Sequence, residues 1–290
     1  MPNSPAPARL RLILGDQLNI NHSWFRTADD TTVYAMFETY SEATYCEHHV
    51  QKITGFFLAM RAFAEQLRVR GHRVHYRTLD QTREAGLNTI TDNLSDLLHQ
   101  LGGPAFEYQL PDEWRLDQEL ISFSENIGGV SVDSEHFMSD RNDVADLFAG
   151  KSSYLMETFY REMRRRHGVL MDPSGEPETG QWNYDQENRG ALPKEISFPA
   201  ATVFDRDAGD IVAMIDRHGI NTMGRMQDNR FTYPVTREEC LEALADFCEK
   251  SPSLLRYLPG RNDHAPPFAV PRQSELCDEH QNAVPPGGDR

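Results

Sequence analysis

Cysteine is scarce: Cys46, Cys240, Cys248 and Cys277 are the whole complement, and no two of them stand in Cys-x-x-Cys spacing. That excludes a disulfide framework and the usual cysteine metal sites, and leaves reduced thiols as the expectation. Long apolar runs are also missing. No window approaches the roughly 20 consecutive apolar residues a membrane-spanning helix needs, and the opening MPNSPAPARLR has no signal-peptide core. A cytoplasmic protein with no membrane partner is therefore expected. Basic charge is in deficit, with a net charge of −16 at pH 7. Bulk electrostatic gripping of nucleic acid is thus excluded, and any DNA contact has to be local. Two phosphate-binding patterns, GxGxxG and the P-loop, do not occur either.

What remains is the composition of a globular protein, 39% apolar and 26% charged over 290 residues. That length exceeds the commonest single domain, so one full domain and part of another are expected. Leu10 to Leu14 is a short apolar run that stops at Gly15-Asp16-Gln17, the pattern of a buried first strand ending in a turn. Val33 to Phe37 reads as the second strand. Ile53, Phe56, Phe57, Met60, Phe63, Ala64 and Leu67 then recur at three- and four-residue steps, which makes one helical face apolar and obliges it to lie on a sheet. Gly71 ends that helix.

A third strand follows at Arg73 to Thr78, and Leu87 to Leu101 reads as one amphipathic helix before Gly102-Gly103. Ala105 to Leu110 is the fourth strand, Leu116 to Ile127 a helix, and Val130 to Asp133 the fifth strand. Strands alternating with helices at this spacing predict an α/β fold with a five-stranded parallel, Rossmann-like sheet covered on both faces. Ligands of such sheets sit at the carboxyl ends of the strands. The loops concerned are Gly15 to Leu18, Glu38 to His49 and Pro111 to Arg115. The second of these holds Glu38, Glu42, Glu47, His48 and His49 within twelve residues. Acidic residues before a helix also stabilise its amino end, so Glu42 has both a structural and a ligand-binding reading, and His48 and His49 read as structural. Trp114 and Arg115 suit stacking on, and pairing with, a planar ligand; the other reading is a tryptophan closing the sheet edge.

Beyond the sheet, Tyr154 to His167 is a helix whose last turns carry Arg161, Arg164, Arg165 and Arg166, expected to cap it or to pair with carboxylates, with contact to DNA phosphates as the alternative. Gln181 to Arg189 is a polar, aromatic linker. A smaller helical region starts near Asp207, and Thr236 to Glu239 forms a capping box for a helix through Phe247. From Leu258 to Arg290 there are six prolines and no apolar period, so this tail is expected to be disordered. The domain expectation is a flexible terminus at 1–8, an α/β domain at 9–150, a helix and linker at 151–195, an incomplete all-helical domain at 196–257 and the tail at 258–290.

LILGDQL, ETYSEATYCEHHVQKI with FFLAMRAFAEQL, PDEWR, METFYREMRRRHGVLM and QWNYDQENR occur in that order. Together these blocks resemble the bacterial iron–sulfur photolyases and cryptochromes, or deoxyribodipyrimidine photolyase-related proteins, from about Leu10 to Tyr257. The resemblance implies an antenna α/β domain holding a lumazine, then a helical domain with FAD, a 4Fe-4S cluster and the DNA surface used in light-driven repair or blue-light reception. Carried over, Gly15, Asp16, Gln17, Leu18, Glu42, Glu113 and Trp114 are the candidate antenna-pocket residues, and no catalytic or metal-binding residue is assigned. Phe37 and Phe56 stand where relatives often have small or aliphatic residues, which implies an altered or filled pocket.

The flavin contacts and cluster cysteines of relatives have no counterpart here, so the chain is expected to be the antenna half, inactive alone and without an evident obligate protein partner. A free-standing binding module for lumazine, flavin or nucleotide is the alternative. Read one base out of phase with suitable synonymous codons, Leu258 onward resembles the start of the family's helical domain, which suggests a frameshift near Leu255 to Leu258. The helical segment after Asp207 is then expected to lack cover for its apolar face.

Overall fold

A computed structural model describes residues 6–183 and 200–250. The tail and most of the Gln181 to Arg189 linker lie outside the described residues. The described chain falls into two compact units, one made of 6–135 together with 201–247, the other containing 136–183.

The first unit is built on five strands, β1 (Arg9–Leu12), β2 (Thr32–Phe37), β4 (Arg73–Arg77), β5 (Ala105–Gln109) and β6 (Val130–Val132). They pair only in parallel, in the order β4-β2-β1-β5-β6. Leu12 lies between Ala35 of β2 and Tyr108 of β5, so β1 is the centre of the sheet. β2 is buried along its whole length, as a strand covered on both faces has to be. Side chains alternate between faces. Tyr34 and Met36 point to one core, with Ile13 and the apolar stripe of α2 (Val50–Val69). Val33, Ala35 and Phe37 join Leu10, Leu12, Phe106 and Tyr108 in a second core, under α4 (Ile90–Gln100) and α5 (Trp114–Ile127).

The stripe predicted for α2 is buried at Ile53, Phe57, Met60, Phe63, Ala64 and Leu67. Each such side chain taken from water contributes on the order of 1.5–3 kcal/mol. Gly71 follows with φ +87°, the left-handed conformation that lets the chain turn back into β4.

Leu87 to Leu101 holds one helix, α4, which starts at Ile90 rather than Leu87. A separate short helix, α3 (Leu79–Glu84), precedes it. Two capping boxes explain the break: Thr78 with Gln81 opens α3, and Thr89 with Asp92 opens α4. Gly86 between them takes φ +71°. The loop from Glu38 to His49 likewise contains a short helix, α1 (Tyr40–Thr44), and a two-residue strand, β3 (His48–His49).

Residues 201–247 pack back onto α2. β7 (Arg206–Asp207) pairs antiparallel with β9 (Arg230–Phe231), and β8 (Thr222–Met223) pairs parallel with β3. α8 (Gly209–Arg217) buries Ile211, Met214 and Ile215 in the α2 core. The expectation that this apolar face lacks cover is therefore wrong. α2 is long enough to present a second flank after covering the sheet, and Arg61 on it meets Asp210 at 3.5 Å while Asp80 of α3 accepts from Arg217 and His218. The capping box read for α9 (Arg237–Lys250) is present, with Glu239 N donating to Thr236 Oγ1 at 3.3 Å and Thr236 N donating to Glu239 Oε2 at 3.3 Å.

In the second unit α6 (Asp143–Leu147) precedes α7 (Met156–His167). Arg161 pairs with Glu157, and Arg166 with Asp143. Arg164 donates to the carbonyls of Val169 and Leu170 past the helix end. The guanidinium carbons of Arg161, Arg164 and Arg165 lie 4.6–5.3 Å from the Trp182 ring centre.

Candidate functional site

Crossovers from β1 run to one side through β2 to β4, and the chain returns to β5 on the other side of β1. The loops leaving β1 and β5 therefore diverge at a topological switch point, the place where open parallel sheets form a ligand crevice. Gln17 spans it from within. Its Oε1 accepts from Leu14 N at 3.0 Å, and its Nε2 donates to the carbonyls of Gln109 at 3.2 Å and Leu110 at 3.3 Å. With 1% of its surface exposed, Gln17 fixes the two crevice walls and has its amide committed to doing so. Leu18 is core, and Asp16 is half-buried.

Gly15 lies against α2. A Cβ there would stand 3.0 Å from Phe56 Cδ1 and 3.1 Å from Met60 Sδ, closer than ordinary contact. The Phe56 ring thus packs directly against the turn that follows β1. Phe37, the other aromatic substitution, belongs to the core on the α4 and α5 side, 6.3 Å from the His75 ring.

The acidic and aromatic candidates converge on one cation. Arg115 Nη1 and Nη2 donate to the two carboxylate oxygens of Glu42 at 3.0 and 2.6 Å. The same guanidinium holds Glu113 through Nε at 3.2 Å and Nη2 at 2.9 Å, and lies 4.6 Å from the Tyr45 ring centre. The fork geometry of Arg permits both pairings at once. Glu42 raises the affinity of Arg115 for its proton, so the cation is permanent. Glu113 occupies the N-cap position of α5 but makes no side-chain cap, its carboxylate being engaged by Arg115. Trp114 begins α5 and is 74% exposed. The result is a carboxylate–guanidinium–carboxylate row flanked by Tyr45 and Trp114. Polar edges and ring faces of that kind suit a planar heteroaromatic ligand.

Glu38, close in sequence, is elsewhere. It is fully buried and accepts from Arg61 Nε at 2.7 Å, Arg61 Nη2 at 3.1 Å, Tyr76 Oη at 2.6 Å and Leu79 N at 2.9 Å. Every lone pair it needs is satisfied from within the fold. His49 is the N-cap of α2, its Nδ1 accepting from Gln51 N at 3.1 Å. His48 is buried beside Cys46 and Tyr45, and burial together with Lys52 lowers its pKa.

Sequence reasoning brought Glu42, Glu113, Trp114 and Arg115 to one edge but missed Tyr45, whose place under the guanidinium depends on α1 turning the chain. It also missed Gln109, the last residue of β5, which reads as an ordinary strand residue. Among the described residues no group of three His, Cys, Asp or Glu side chains is arranged to hold a metal ion. No described helix is long and apolar enough to cross a membrane.

Comparison with known proteins agrees with this architecture. Residues 11–231 match the family model of deoxyribodipyrimidine photo-lyase-related protein. The chain is also 34% identical over 250 residues to a (6-4) photolyase of Agrobacterium fabrum (strain C58 / ATCC 33970), an alignment that takes in 83% of this chain and 48% of the relative. It therefore spans about half the length of that curated relative. The match over most of its length places this chain in the deoxyribodipyrimidine photo-lyase-related protein family.

Proposed function

We propose that this chain is the antenna-type α/β half of a photolyase-related protein, and that the crevice at the carboxyl edge of its sheet receives a planar heteroaromatic of the lumazine class. The observation that carries the reading is the double pairing of Arg115 with Glu42 and Glu113 beside an exposed Trp114, at the switch point of a parallel sheet. Gly15, Asp16, Gln17 and Leu18 form the opposite wall, Gly15 and Gln17 through backbone placement rather than free side-chain groups. When bound, such a chromophore absorbs near-ultraviolet or blue light and passes the excitation on. The contribution of the chain is to hold the ring, orient its polar edge and exclude water.

On this reading residues 196–257 lead toward the helical part that carries FAD, the 4Fe-4S cluster and the DNA surface in the family. The described cysteines do not fit a cluster: Cys46 and Cys248 are exposed, Cys240 is buried, and they form no common donor group. The 290-residue polypeptide alone is without light-driven repair and without an affinity for DNA that its acidic charge would oppose. A second reading, a binding module without photochemistry, is supported by the same crevice.

Fluorescence titration with lumazine tests the site. Saturable binding is expected, and Glu42→Ala weakens it about tenfold while thermal unfolding stays cooperative, because one polar anchor is lost from an edge loop. Equal affinity in the variant would remove Glu42 from the site.

A further inference from the structure

Gln109 ends β5 with its side chain completely buried, and among the described residues neither Nε2 nor Oε1 has a hydrogen-bond partner. Its backbone is engaged, its carbonyl accepting from Gln17 Nε2 at 3.2 Å. Buried amides are nearly always paired, since each unsatisfied group forfeits its hydration without return. A leucine would fill the same volume without that penalty.

The position of this amide is informative. Phe106 and Tyr108 face the α4 and α5 core, so alternation places Glu107 and Gln109 on the α2 face. Glu107 bears this out by pairing with Arg11 at 2.7 Å. Gln109 is two residues further along, at the strand end beside the crevice, and the hydrogen bond from Gln17 ties its own carbonyl to the loop that forms the opposite wall.

We infer that Gln109 determines which ring the crevice accepts, its amide pairing with adjacent N–H and C=O groups on the imide edge of a planar heteroaromatic such as a pteridinedione. This rests on the reading of the crevice as the ligand site. The chemistry is selective. A cation would satisfy Oε1 and leave the NH2 group without an acceptor; an anion would do the reverse. Only a neutral ligand with a donor and an acceptor side by side satisfies both atoms in one plane. Ligand sites that hydrogen-bond a polar group discriminate strongly against analogues lacking it, because the protein groups are left unpaired.

The test uses the purified full chain and two probes, lumazine and 1,3-dimethyl-lumazine, in which methylation removes both N–H groups that flank the ring carbonyls. The wild type is expected to bind lumazine at least about tenfold more tightly than the methylated ring. Gln109→Leu loses that preference while melting no lower than the wild type, since it removes an unpaired buried amide. Equal binding of both rings by the wild type, meaning that an internal water alone serves the amide, overturns the inference. So does a preference that persists in Gln109→Leu. Failure of the wild type to bind either ring instead overturns the crevice reading on which the inference stands.

Discussion

Glu38 and Arg61 form a two-pronged ion pair at 2.7 and 3.1 Å, in which the glutamate side chain is completely buried and the arginine side chain is 28% exposed. Glu42, four residues later, makes an equally well-formed fork with Arg115 at the edge of the sheet. The two carboxylates look alike in sequence, yet one is sealed into the fold and the other is partly exposed at the sheet edge. Burial separates their roles.

Removing Glu38 leaves Arg61 and Tyr76 without their acceptor in a dry site, and breaking a buried pair from one side costs about 3–5 kcal/mol. Glu38→Ala is expected to lower unfolding stability by that amount in urea titrations. Arg115→Ala, at an exposed site, changes stability by under about 1 kcal/mol while weakening ligand binding. Similar losses from both variants would contradict the division.

A Cβ at Gly15 fits beside Phe56 and Met60 only if those side chains give way by a few tenths of an ångström. Gly15→Ala is expected to cost about 1–3 kcal/mol through overpacking. Phe56→Ala in the same chain relieves most of that cost, because the obstructing atoms are ring atoms of one side chain. Additive effects in a double-mutant cycle would show that Phe56 is not the obstacle.

Gly224 takes φ +71°, and a Cβ there would stand 1.9 Å from His49 Nε2. Gly224→Ala therefore meets both backbone strain and a ring that is held as the cap of α2. It is expected to detach the β3–β8 pair, seen as faster amide exchange at His48 to Met60 with the central sheet still protected. Unchanged exchange there would refute the coupling.

Stability should depend on pH in two separate windows. Burial lowers the pKa of His22, His48, His72 and His75, with Lys52 adding to the effect at His48 and Arg77 at His75. An unfolded histidine takes up a proton near pH 6.5, whereas these resist it in the fold. The unfolded state thus binds more protons, and stability is complete above that pH and falls as pH drops through it toward the depressed folded values. Carboxylates act lower. Hydrogen bonds from Thr31 and Thr32 hold Asp29 down to about 2, and Arg77 holds Asp96 low, so their contributions are lost below the ordinary carboxylate range. Thermal melts from pH 8 to 5 are expected to show a progressive fall in Tm, and a flat profile would contradict the histidine assignment.

The five strands and α2 were legible in the sequence because their signals are local: apolar runs closed by turn residues, and one long periodic stripe. The helix read over Leu87 to Leu101 is α4; its start lies three residues later than the pattern places it, because Leu87 keeps the apolar period ahead of the point where Thr89 caps the helix at Ile90. β3 and β8 are two residues each, too short to leave a pattern, and they pair across 174 positions, in register with His48 on Thr222. The cover of α8 by α2 was equally invisible, since a stripe shows that a face is apolar and says nothing about what meets it. Glu42 and Trp114 stand out from their place at strand ends, whereas the surroundings of Tyr45, Arg61 and Gln109 are set by neighbours distant in sequence.

The central claim is that this polypeptide gathers a ring-shaped ligand at its sheet edge and performs no photochemistry by itself. Its most direct test is to illuminate the purified 290-residue chain, supplied with FAD and a reductant, with an oligonucleotide carrying a six-four photoproduct and to follow restoration of the pyrimidines. The account predicts no light-dependent repair above the protein-free control. Repair under illumination would contradict it.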